Sequence, residues 1–317
     1  MKTLLCLALA SCVSAFGLTA GAEAYTVSIN QFVEHPSLNE AVRGFKEQLA
    51  ELGLEVTYHE HNAQADMPTV TQIVNQIVDE KPDLVLAVAT PSAQITAQRI
   101  KDTPILFTAV TDPVDAKLVA SAASPGANVS GTTDLNPVSA QLALIKEIQP
   151  QAKNIGIVYN SGESNSVVQV ELARRAAAAT GFELIEAVTA DTAGVMAAAQ
   201  SLVGKVDAIY LPTDNSVIAS LEAIIKVSLD HKIPIYPAED DSVRKGGAAV
   251  LSISYYQLGR QTGRMAARIL KDGAKPASMP VEEQTDFNLI INTAYAAKVG
   301  LQIPDAVAAR ASETIEQ

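Results

Sequence analysis

From Tyr25 onward, short apolar runs alternate with longer stretches whose apolar residues recur every three or four positions. Leu84–Ala89, Ile105–Val110, Ile155–Tyr159 and Ala208–Leu211 are continuous apolar runs, the pattern of parallel strands covered on both faces. Leu38, Val42, Phe45, Leu49 and Leu52 share one face of a predicted helix that Gly53 stops. Val70, Val74, Ile77 and Val78 do the same over Met67–Glu80. Further helices are expected over Ser92–Lys101, Val138–Ile148, Val167–Ala179, Val195–Val203, Val217–Leu229 and Tyr256–Leu270, with a last one near Tyr295–Val299. Strands are expected at Thr26–Phe32, Leu54–Tyr58, Val129–Thr133, Glu183–Val188, Ile233–Tyr236, Ala248–Ser254 and Phe287–Ile291. Strand followed by helix, repeated throughout, predicts an α/β fold built on doubly wound sheets.

The pattern occurs twice. Asp83–Pro113 reads as a buried strand, a helix opened by Pro91-Ser92, and a second strand ending in Thr111-Asp112-Pro113. Asp207–Val243 repeats it, with a helix opened by Asp214-Asn215-Ser216 and a strand ending in Glu239-Asp240-Asp241-Ser242. TVSINQFVEHPS, from Thr26, also matches IGIVYNSGESNS, from Ile155. Two similar Rossmann-like lobes on one chain form a cleft, and such clefts bind small molecules.

Composition narrows the partners. The chain has 317 residues, 48% hydrophobic and 4% aromatic, with a formal net charge of −12. That charge disfavours nucleic acid and anionic membrane surfaces. Lys2, the apolar run Leu4–Leu9 and the small-x-small site Ala22-Glu23-Ala24 read as a secretory signal over residues 1–24, leaving Tyr25 as the mature start. Leu9-Ala10-Ser11-Cys12 also fits a lipobox, but an apolar segment follows Cys12 where a lipoprotein has a polar tether. The expectation is a protein free in the periplasm, with a lipid anchor at Cys12 as the alternative. Both cysteines, Cys6 and Cys12, fall in the leader, so the mature chain carries no disulfide, thiolate metal site or cysteine nucleophile.

In open parallel sheets, ligands bind beyond the carboxyl ends of the strands. Polar clusters sit at those ends: Gln31 to His35, Thr90-Pro91-Ser92, Thr111-Asp112, Asn160 to Ser166, Thr213-Asp214-Asn215 and Glu239 to Ser242. Helix openings there offer amides to an anion, and the acids suit an ammonium. Taken singly, each cluster reads equally as an N-cap. Taken together, on two lobes, they form a binding cleft. Phe32, Phe107, Tyr159, Tyr210 and Tyr236 lie beside these ends, Phe107 and Tyr210 as core residues. The absence of Trp disfavours a sugar, whose pyranose faces stack on indole. No nucleophile elbow, phosphate loop or dinucleotide fingerprint appears, so no catalytic residue and no cofactor are expected. His59 and His61 flank Glu60 and would point to one face, where a metal shared with His35 is conceivable; a solvated strand end is the simpler reading.

QFVEHPSLNEAVRGFKEQL, VLAVATPSAQ, LFTAVTDPV, NSGESNSVVQVELA, YLPTDNSV and YYQLGRQTGRMAARIL resemble the substrate-binding proteins of ABC transporters, in the subfamily that includes tryptophan- and phenylalanine-binding members. The likeness runs from about Thr26 to about Leu301. It implies a type I periplasmic-binding-protein fold whose lobes are joined by a three-strand hinge. One lobe would take 25–134 plus 252–279, and the other 135–251 plus 280–317. It also implies a role for the cleft: capture of a small solute, an aromatic amino acid favoured, and delivery by a monomer to an inner-membrane ABC permease. The positions carried over are Thr90, Ser92, Thr111, Asp112, Asn160, Asn165, Asp214, Asn215 and Glu239, with Phe32 against the ligand side chain. Thr90 and Ser92 would hold the carboxylate. Asp214 or Glu239, or Asp112 from the other lobe, would hold the ammonium. Asn160 and Asn165 would close over the ligand, and Tyr159 or Tyr236 would contact its side chain. A sensory module docking on a membrane receptor and a hydrolase built on the same cleft are the rival classes.

Overall fold

The computed structural model describes residues 24–316. The expected leader, with Cys6 and Cys12, lies outside the described residues. The first part of the chain runs β1 (Tyr25–Gln31), α1 (Pro36–Glu51), β2 (Val56–Asn62), α2 (Met67–Glu80), β3 (Leu84–Val88), α3 (Thr90–Arg99), β4 (Ile105–Val110) and β5 (Val129–Thr133). Its strands form one parallel sheet in the order β2-β1-β3-β4-β5. Then follow α4 (Val138–Ile148), β6 (Asn154–Asn160), α5 (Ser164–Thr180), β7 (Glu183–Thr189), α6 (Val195–Ser201), β8 (Ala208–Leu211), α7 (Asn215–Ala219), α8 (Leu221–His231), β9 (Ile235–Pro237), α9 (Asp240–Gly246) and β10 (Ala249–Ser252). Strands β7-β6-β8-β9 make a second parallel sheet. The chain ends with α10 (Tyr255–Leu270), a 3-10 turn at Pro276–Ser278, β11 (Asn288–Asn292), α11 (Thr293–Val299), α12 (Asp305–Ala308) and β12 (Glu313–Ile315). β10, β11 and β12 form a small third sheet.

Two separate cores define two lobes. One spans Val27 to Val129 and takes in Ile253 to Met279; the other spans Val138 to Ala249 and takes in Ile291 to Val307. The chain therefore passes between them three times, near Asp134, near Ile253 and after Met279. Polar bonds tie the crossings together. The Tyr255 hydroxyl donates to Asp134 Oδ2 at 2.7 Å, and the Ile253 amide donates to Asn136 Oδ1 at 3.1 Å.

In the first lobe, α10 returns to lie on α1 in backbone contact. A Cβ on Gly259 would overlap the Ala41 carbonyl, and one on Gly44 would overlap that of Tyr256. Arg43 stacks over the Tyr256 ring at 4.2 Å, and the Tyr256 hydroxyl donates to Glu47 at 2.7 Å.

Several elements depart from the sequence expectation, among them α12 and β12, which follow the helix expected to be the last. β2 runs to Asn62 and pairs with the whole length of β1, although Leu54–Tyr58 was expected. It is a polar edge strand, so its apolar signal fades before its pairing does. The helix expected over Val217–Leu229 breaks at Ser220 into α7 and α8. Asp240–Gly246, read as the end of a strand, is a helix whose first turn carries Asp240 and Asp241, where the helix dipole favours acids.

Candidate functional site

The carboxyl ends of β1, β3 and β4 in one lobe face those of β6, β8 and β9 in the other, and side chains meet across the gap. Ser37 Oγ donates to Glu239 Oε2 at 2.6 Å, Gln94 Nε2 to Ser164 Oγ at 3.4 Å, and Gln169 Nε2 to Thr111 Oγ1 at 3.5 Å. Ala89, the residue between β3 and α3, has φ +77° and ψ 157°. Ala109, at the irregularity of β4 on β5, has φ +57°. Positive φ is costly for alanine, and such strain persists where the surroundings over-determine the backbone, often at binding sites. Here both residues stand at strand ends that face the other lobe.

On the first lobe, Thr90 opens α3, is 1% exposed, and its Oγ1 has no hydrogen-bond partner. Ser92 Oγ donates to Asn30 Oδ1 at 3.4 Å. Thr111 Oγ1 donates to Asp134 Oδ1 at 3.0 Å. Asp112 is half-buried; its Oδ1 accepts from the amides of Val114 and Asp115 at 3.0 and 2.9 Å, a local turn that does not use Oδ2. Phe32 is buried in the core with its amide on the Val88 carbonyl.

On the second lobe two buried carboxylates organise the wall. Asp214 accepts from the Asn160 amide at 2.6 Å, Ser166 Oγ at 2.6 Å and the Val217 amide at 2.9 Å. Glu163 accepts from the Asn215 and Ser216 amides at 3.1 and 2.9 Å, from their side chains at 2.6 and 2.7 Å, and from Asn165 Nδ2 at 3.2 Å. Burial, and then the nearby Glu163 charge, push the Asp214 carboxyl well above the ordinary range. Asn160 Nδ2 donates to Ser216 Oγ at 3.0 Å. Asn165 Nδ2 also donates to the Thr213 carbonyl at 2.9 Å, whereas its Oδ1 is buried with no partner.

These contacts sort the expected residues. Asp214 is fully buried, and both its oxygens accept from donors of its own lobe. Asn215 anchors on Glu163. The Tyr159 and Tyr236 hydroxyls donate within their own lobe, to Glu186 and Gln149 at 2.8 and 2.7 Å. His59 Nδ1 and His61 Nε2 lie 3.3 and 2.8 Å from Glu80, while His35 stands elsewhere, its Nδ1 4.0 Å from Glu239. Among the described residues no cluster of three or more His, Cys, Asp or Glu suits a metal. Burial pushes the His35 imidazole down to about 4 and the Glu239 carboxyl up to about 8. Glu163, Gln169, Ser37 and Asp134 were missed. Glu163 and Ser37 lie inside strings that the two halves share, which was the available signal; Asp134 gave none.

A family model described as ABC transporter substrate binding protein matches residues 26–315. A tyrosine-binding protein of Clostridioides difficile (strain R20291) is 41% identical over 270 residues, 84% of this chain and 78% of that one. The crystal structure of an ABC domain in complex with L-Trp from Streptococcus pneumoniae is 36% identical, covers 91% of this chain and 100% of its own, and superposes with a TM-score of 0.88. The ligand-free, open structure of a substrate binding protein with adhesive properties from Clostridium difficile is 39% identical, with 92% and 100% coverage, and superposes at 0.68. At nearly equal identity, the lobes described here are therefore arranged more like those of the complex than those of the open form. The fold is that of type I periplasmic binding proteins, and the chain belongs to the ABC transporter substrate-binding protein family.

Proposed function

We propose that this protein captures an aromatic L-amino acid between its lobes, without chemical turnover, and delivers it as a monomer to an ABC permease after export to the periplasm. The observation that carries the reading is a pair of buried, unpartnered polar atoms, Thr90 Oγ1 on one lobe and Asn165 Oδ1 on the other. The hydroxyl can donate to a carboxylate, alongside the amides that open α3. The amide oxygen can accept from an ammonium, and Asp112 supplies the compensating charge. Leaving both atoms buried and unpaired costs about 1–3 kcal/mol each, so a zwitterion between them stabilises the closed arrangement. Ser92 and Thr111 shape the carboxylate end, Asn160 and Asn215 hold the opposite wall, Asp214 keeps that wall in place, and Phe32 backs the ring. The tyrosine- and tryptophan-binding relatives support the ligand class.

Thermal-shift and calorimetric titration with L-Trp, L-Tyr and L-Phe test the reading, with glucose and adenosine as controls. At one hundred times its Kd, a ligand adds about 2.7 kcal/mol to stability. Stabilisation by the controls alone would sink the proposal, as would recovery of a chemically altered ligand.

A further inference from the structure

We infer that the contact of Glu239 with Ser37 and His35 is a proton-linked latch that holds the lobes closed, and that Glu239 does not hold the ligand. The inference rests on the proposed capture of a ligand between closing lobes. Its geometry spans the cleft: Ser37 Oγ, in the first turn of α1, donates to Glu239 Oε2 at 2.6 Å, and His35 Nδ1 lies 4.0 Å from the same oxygen. Glu239 is 2% exposed and His35 5%. Ser242 Oγ, one turn along α9, donates to Oε2 at 3.3 Å. Among the described residues no lysine or arginine pairs with Glu239. A carboxylate buried without a cation is disfavoured, so the group closes over as a neutral acid.

Burial and the nearby acids favour the neutral form, and outweigh the Ser37 hydrogen bond, which favours the carboxylate. Asp240 and Asp241 lie on the same helix, and Asp134 faces Glu239 from the hinge, bonded to Tyr255. Glu40 and Arg43 of α1 act on Asp241, as does Arg244, which also acts on Asp240. Lys245 is close enough to His35 to help keep it uncharged, and Asn215 reaches the imidazole from α7.

The sign of the pH effect follows. Glu239 rises from 4.5 in an exposed setting to about 8 when closed over, so closing takes up a proton between those limits. His35 falls from 6.5 to about 4, so closing releases a proton between those limits. The two offset each other between pH 4.5 and 6.5. From pH 6.5 to 8 Glu239 dominates, and closure weakens by less than about tenfold per pH unit, on the order of tenfold in all. A carboxylate holding an ammonium would give the opposite trend, with binding lost as the acid is protonated.

The test pairs a ligand measurement with a ligand-free one. Calorimetric titration with L-Trp at pH 5.5, 6.5 and 8.0, in buffers of different ionisation enthalpy, should show flat affinity up to 6.5, then weakening with net proton uptake. Glu239→Gln keeps a neutral side chain of the same shape, so its affinity should vary less than about threefold over pH 6.5–8. Ser37→Ala removes the cross-lobe donor and should weaken binding about 2- to 12-fold at all three pH values. Small-angle scattering of the unliganded protein should show the radius of gyration growing from pH 6.5 to 8 in the wild type and staying constant in Glu239→Gln. Identical scattering profiles for the two proteins overturn the latch, as does L-Trp affinity that falls toward low pH or collapses in Glu239→Gln at pH 6.5. If L-Trp fails to bind but scattering behaves as expected, the ligand assignment falls and the latch stands.

Discussion

Replacing Thr90 by valine swaps a hydroxyl for a methyl of the same shape at a position 1% exposed. The unpartnered Oγ1 makes the expected effects opposite in sign for the two states of the protein. With ligand bound, the change removes a hydrogen bond to a carboxylate worth about 1.5–3 kcal/mol, a loss of roughly 10- to 150-fold in affinity. Without ligand, it removes a buried hydroxyl that has nothing to bond, a penalty of about 1–3 kcal/mol wherever the lobes are closed. The unliganded melting temperature should therefore hold level or rise, by about 2–4 °C per kcal/mol for a chain of this size. Calorimetric titration with L-Trp and L-Tyr, together with melting curves of both unliganded proteins, reads both effects. A Thr90→Val protein that binds as tightly as wild type would refute the carboxylate role. One that melts clearly lower without ligand would show that the hydroxyl has a structural partner.

Asp214→Ala leaves the Asn160 and Val217 amides and the Ser166 hydroxyl without their acceptor, and urea unfolding should show a loss of about 2–4 kcal/mol. Unchanged stability would remove its bracing role. Ala89→Gly relieves a φ of +77° and should gain about 0.5–2 kcal/mol; a loss of stability in the same assay would mean that the backbone there is unstrained. Gly259→Ala drives a methyl group into the Ala41 carbonyl and should cost about 1–3 kcal/mol or more in denaturant unfolding, an expectation that a wild-type midpoint would contradict.

Most of the fold was legible because its strands are buried on both faces. Ile105–Val110, Val129–Thr133 and Ala208–Leu211 coincide with the observed elements, as do the helices Met67–Glu80 and Val138–Ile148. The signal failed where burial did. β2 lies at a sheet edge, and α9 is short and opens on acids that also read as a turn. For the site, periodicity pointed to strand ends but not to side-chain direction. Asp214 and Asp112 look alike in sequence, each a polar residue after a strand; one is fully buried among three donors and the other is half-open. Asp134 and Tyr255 meet only because the chain crosses between lobes three times, and no local pattern records a contact between residues so far apart.

The packing of α1 on α10 also orders events in time. The two helices touch backbone to backbone, yet some two hundred residues separate them, and the whole 138–249 stretch of the other lobe lies between. A chain emerging from its amino end has made β1 to β5 long before it has made the helix that covers α1. That glycine-and-alanine face stays bare meanwhile, and the contact forms late because it closes so long a loop. The β6 to β9 sheet is made in one piece before α10 appears, yet its core also takes in Ile291 to Val307 from the end of the chain. Each lobe is thus begun early and completed only by a segment made after the other lobe's sheet.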